Sequence, residues 1–132
     1  MAIRYTAAQL RDMKFAYDRQ VADQAIEDLS DDIGDKIIAE AKEGKTTLTA
    51  IISSNATNTI ITLEFGNRLT PYATYNVRLN KYIIDGCVAA LHEAFPNCMI
   101  CVEAIDMTDT RAIVIDWSID YVANAANAAA SN

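Results

Sequence analysis

The spacing of apolar positions divides the chain into helical and extended stretches. From Ala7 to Leu29 the positions Leu10, Met13, Tyr17, Val21, Ala25 and Leu29 form one slowly drifting stripe, with Arg11, Asp18, Arg19, Asp23 and Asp28 among the polar positions between them. Thr6 followed by Gln9 has the spacing of a capping box and sets the predicted helix start near Ala7. Ser30, Asp31 and Asp32 prefer caps and predict a break. A second helix then carries Ile33, Ile37, Ile38 and Ala41, and Gly44 stands where a left-handed C-terminal residue is expected. Thr46 to Ser53 and Thr59 to Phe65 are rich in Thr and Ile with alternating apolar positions, and the polar connection Ser54 to Asn58 joins them as a hairpin.

After Gly66 the segment Asn67 to Tyr75 shows no period and reads as a loop containing Leu69, Pro71, Tyr72 and Tyr75. Its aromatics either touch a partner or cover an edge of the domain's own core. Asn76 is the expected N-cap of a third helix, Val77 to Phe95, with Ile84, Cys87, Val88, Leu91, Ala94 and Phe95 on one side and Arg78, Lys81, Asp85 and His92 on the other. Pro96 and Asn97 stop it. Cys98 to Asp120 reads as two strands around a turn at Met107 to Arg111, and Ile113, Ile115, Trp117 and Ile119 form the apolar face of the last one. The predicted order is ααββαββ: an α+β domain over residues 1–122, with a mainly antiparallel four-stranded sheet covered by helices. Trp117 is expected against the third helix. Residues 123–132, alanine, asparagine and serine without charge, predict a flexible tail.

Composition narrows the partners. The formal net charge is −7 and the lysines and arginines are scattered, which predicts no direct nucleic-acid contact and no binding to anionic lipid. No stretch approaches the roughly 20 apolar residues of a membrane span, and no apolar run follows Arg4 as in a signal peptide, so a cytoplasmic location in the host or producing cell is expected. Three cysteines without a framework fit reduced thiols.

Each constellation that could carry chemistry fails on geometry. Cys87, His92, Cys98 and Cys101 include zinc-type ligands, but five residues on a helix separate Cys87 from His92 by about 140°. Cys98 and Cys101 point to opposite faces of a strand. His92 is the only histidine and has no nucleophile at helical spacing. Asp116 and Asp120 alternate with core residues and face water, while Asp31, Asp32 and Asp35 lack the spacing and glycine of a calcium loop. Gly44-Lys45-Thr46 lacks the earlier glycine of a phosphate loop and runs from helix to strand, the wrong order for it. No catalytic, cofactor-binding or metal-binding residue is therefore assigned.

The helix ending Ile37-Ile38-Ala39-Glu40-Ala41-Lys42-Glu43-Gly44-Lys45, the later helix with Val88, Leu91 and Phe95, and the closing strand Ile113-Val114-Ile115-Asp116-Trp117 together resemble small proteins encoded by large DNA viruses and tailed phages, some of them virion components. The resemblance covers Ile33 to Ser118 and implies a virion setting. Where those proteins often have Gly-Tyr after the helix, this chain has Phe95-Pro96, and no functional residue carries over.

The expected function is a non-enzymatic structural or assembly protein acting through protein–protein contacts, with itself or other virion proteins as partners. Its stripe of Leu10, Met13, Tyr17, Val21 and Leu29 spans about 28 Å of helix, against a four-stranded sheet about 19 Å wide, so part of it should overhang the domain. With Tyr72 and Tyr75 these are the expected interaction residues. The alternative is a small-molecule-binding module or small enzyme with a pocket beside Asn67 to Tyr75.

Overall fold

One uninterrupted helix, α1 (Ala7–Lys42), dominates the computed structural model, which describes residues 4–55, 57–66, 71–105 and 110–119. The side chains of Thr6 and Gln9 cap its start reciprocally, Gln9 N–H to Thr6 Oγ1 at 3.1 Å and Thr6 N–H to Gln9 Oε1 at 2.8 Å. Its end is a Schellman turn: Gly44, at φ 87°, donates to the Ala41 carbonyl and Lys45 to that of Glu40. The predicted break at Ser30 to Asp32 does not exist. Ser30 Oγ donates back to the Glu27 carbonyl, the Tyr75 hydroxyl donates to Asp32, and Leu29, Ile33 and Ile37 continue one buried stripe through the stretch. Two predicted helices are thus one.

The sheet has five strands rather than four: β1 (Thr47–Ser54), β2 (Ile61–Phe65), β3 (Ala73–Tyr75), β4 (Met99–Ala104) and β5 (Arg111–Asp116), in the order β3-β2-β1-β5-β4. All neighbours are antiparallel. The extra strand, β3, lies in the predicted loop. It is too short to show a period, and pairs Ala73 and Tyr75 with Leu63 and Ile61. The helix α2 (Lys81–Ala94) then carries the chain from edge strand β3 to edge strand β4. It starts four residues later than expected because Asn80, not Asn76, caps it, its Oδ1 accepting from Ile83 N–H at 3.0 Å.

Both helices lie on one face of the sheet. Leu48, Ala50 and Ile52 of β1, Ile61 and Leu63 of β2, and Ile113 and Ile115 of β5 meet Leu29, Ile33, Ile83, Cys87 and Leu91 in one core. The helices meet closely at Gly86, where an added Cβ would stand 2.4 Å from Ile26 Cδ1. Trp117 is half-buried and not under α2 alone: its indole N–H donates to the Lys45 carbonyl at 3.0 Å, and its ring joins Ile37, Ile38, Ala41, Phe95 and Cys98 around an apolar hollow of about 430 Å³. The expected turn at Met107 to Asp109, the loop residues Asn67 to Thr70 and the tail 123–132 lie outside the described residues.

Candidate functional site

Every residue from Arg4 to Gln20 is exposed, and α1 first buries a side chain at Ala22. At 1.5 Å per residue the helix is about 54 Å long, and about 20 Å of it projects beyond the domain as an arm. The arm is not polar. Leu10 is 53% exposed, Met13 54%, Phe15 66% and Tyr17 66%. Monomeric proteins rarely leave large side chains so exposed on one short element.

Leu10, Met13, Tyr17 and Val21 fall within about 80° of one another round the helix, while Leu29, Ile33 and Ile37 stand about 100°, 140° and 180° round from Leu10. The stripe drifts by about 40° every four residues, so its arm part and its core part face different sides of the helix. Phe15 stands about 140° from Leu10, on another side of the arm.

At the base of the arm α1 is clasped to α2. Arg19 lies over the Tyr82 ring, 4.5 Å from its centroid, and its Nε donates to the Tyr82 hydroxyl at 2.6 Å, which in turn donates to Asp23. This aromatic clasp ties α1 to α2 near where the helix leaves the domain. It had no sequence signal beyond the polar face on which Tyr82 falls.

The remaining predicted contact residues separate. Val21 is half-buried, at the margin of the domain, and Leu29 is fully buried, a core residue and not a contact residue. The helix passes onto the sheet between them. Tyr75 is half-buried with its hydroxyl on Asp32; burial, with that carboxylate beside it, pushes its phenol above its ordinary range. Tyr72 is 43% exposed and stands edge-on to Phe65, with ring centroids 4.9 Å apart, so it covers the rim of the core and presents only part of its ring outward.

Two hollows bear on ligand binding. A cleft of about 740 Å³ at the start of α2 is lined by Arg78, Lys81, Asp85, Arg111, Asn58 and Asn80 among others. A shallower groove of about 340 Å³, between α1 and the chain around β3, is lined by Val21, Gln24, Ala25, Asp28, Tyr75 and Val77 among others. That groove lies beside the described end of the segment where a pocket was expected.

The four candidate zinc ligands do not meet. Cys87 is in the core, where burial pushes its thiol up to about 12, and His92 is exposed in the last turn of α2. Cys98 packs against the core, whereas Cys101 pairs with Val114 on the sheet face turned away from the helices. Among the described residues no three His, Cys, Asp or Glu side chains converge as a metal site, and no helix is long and apolar enough to cross a membrane. No protein-family description, curated protein or solved structure matches the chain.

Proposed function

We propose that this chain is a non-enzymatic structural or assembly protein, with the projecting arm of α1 as its contact element and itself or other virion proteins as partners. The observation that carries this reading is the arm with Leu10, Met13, Phe15 and Tyr17 each more than half exposed. Fully burying one large apolar side chain is worth about 1.5–3 kcal/mol, so covering several would stabilise a complex substantially. The virion setting rests on the resemblance of Ile33 to Ser118 alone.

A second reading, a module that binds a small anionic ligand, is favoured by the 740 Å³ cleft, where Arg78 and Arg111 stand beside Lys81, itself paired with Asp85 at 3.0 Å, in an otherwise acidic chain. Light scattering on the full chain and on the Leu10→Ser/Tyr17→Ser variant separates the two. The assembly reading expects an oligomer in the first and a folded monomer in the second. A full chain that stays monomeric at high concentration, with a variant that unfolds, removes its support.

A further inference from the structure

The arm and the stretch that follows it are electrically opposite. Residues 4–19 hold Arg4, Arg11, Lys14 and Arg19 against Asp12 and Asp18, whereas residues 20–35 hold Asp23, Glu27, Asp28, Asp31, Asp32 and Asp35 with no basic side chain. A single straight helix cannot fold its basic half onto its own acidic half. Only a second molecule can bring the two together.

We infer that α1 pairs with α1 of a second copy, antiparallel, about a two-fold axis near residues 15 and 16, an inference that rests on the assembly reading above. In that register Leu10 lies opposite the partner's Val21, Met13 and Lys14 lie opposite the partner's Asp18 and Tyr17, and Arg4 lies opposite the partner's Glu27. The apolar stripe covers itself, and residues 4–11, which carry Arg4 and Arg11, run beside the partner's residues 20–27, which carry Asp23 and Glu27. Parallel pairing in register would run residues 4–19, net positive, beside the same stretch of the partner, and residues 20–35, whose charges are all negative, beside theirs, like against like. Gln24 and Asp28, next along the same side, are exposed, so the partner's arm has room past Val21. The groove of about 340 Å³ lined by Val21, Gln24, Ala25, Tyr75 and Val77 opens there, where the first turn of the partner's helix arrives. Phe15 stays outside this seam.

Cysteine cross-linking in the full chain with Cys98→Ser and Cys101→Ser tests the geometry, Cys87 being fully buried. Leu10→Cys mixed with Val21→Cys should give a covalent dimer on mild oxidation, and neither variant alone should. At 1.5 Å per residue, two copies of residue 10 lie about 16 Å apart along the antiparallel pair, too far for a disulfide. Ala7→Cys with Gln24→Cys, both exposed, share the register and should behave alike. Self-linking of Leu10→Cys alone would mean parallel helices, and dimers by sedimentation without mixed links would mean another surface. Either result overturns the antiparallel pairing and leaves the assembly reading intact. A wild-type chain that sediments as a monomer at high concentration overturns both.

Discussion

Gly86 sits where α2 lies close against Ile26 of α1, and the reason is space. An added Cβ would stand 2.4 Å from Cδ1, 3.0 Å from Cγ1 and 3.3 Å from Cγ2 of Ile26, whose β-branched side chain has little freedom to turn away. Ala in place of Gly gains about 1 kcal/mol of helix propensity, but overpacking costs about 1–3 kcal/mol. Gly86→Ala should therefore lower stability by about 1 kcal/mol, and adding Ile26→Val, which removes Cδ1, should recover much of it; denaturant midpoints of the three variants measure this. Glu40 makes a second residue-scale case. Its carboxylate takes Lys45 Nζ at 2.6 Å and Lys36 Nζ at 2.9 Å, and these partners hold it from an ordinary 4.5 down to about 2. A lowered folded pKa means stability that is fully present above about 4.5 and drains away as pH falls toward 2. In Glu40→Gln that part of the acid dependence should vanish from urea midpoints measured between those values. The Lys36 pair has the i,i+4 spacing that a helix brings together, whereas the Lys45 contact has no such signal, because Lys45 reaches Glu40 only after the chain has turned at Gly44.

Elements with a long apolar period were legible and short ones were not. Much of the α2 stripe, the hairpin of β1 and β2, and Ile113 and Ile115 of β5 follow from spacing, whereas the strand ends at Asp116 and leaves Ile119, expected on its apolar face, 49% exposed. β3 does not, because three residues cannot display an alternation and its existence depends on the free edge of β2. Reading Ser30 to Asp32 as a break gave local cap preference more weight than it holds against Leu29, Ile33 and Ile37, which bury 97% or more of their surface. The same helix supplies a contrast between its two halves. Leu29→Ala should cost about 2–5 kcal/mol, as a cavity in a closed core does. Leu10→Ala should leave the stability of the monomer within about 0.5 kcal/mol, since its side chain touches no core. Thermal or chemical unfolding of both at low concentration tests the division, and a large loss in Leu10→Ala would place the arm inside the domain.

At the scale of the whole molecule the sequence anticipated the overhang but misjudged where it ends. Comparing a helix length with a sheet width predicted that some apolar stripe projects, but from a sheet one strand too narrow, and it could not show that Leu29 belongs to the core while Tyr17 does not. That boundary depends on where α2 crosses α1, which the Arg19–Tyr82–Asp23 clasp fixes and no periodicity reveals. Contacts between distant parts of the chain set it. The central claim is that residues 7–18 form a helix that none of the described residues of its own domain covers, and that a partner covers it. Amide hydrogen exchange on the full chain, at several protein concentrations, tests this most directly, because a protruding helix opens without unfolding the core. The expected result is fast exchange over residues 8–18 in dilute protein, protection there that rises with concentration, and slow exchange over residues 25–40 at every concentration. Equal and concentration-independent protection over both stretches would contradict the account.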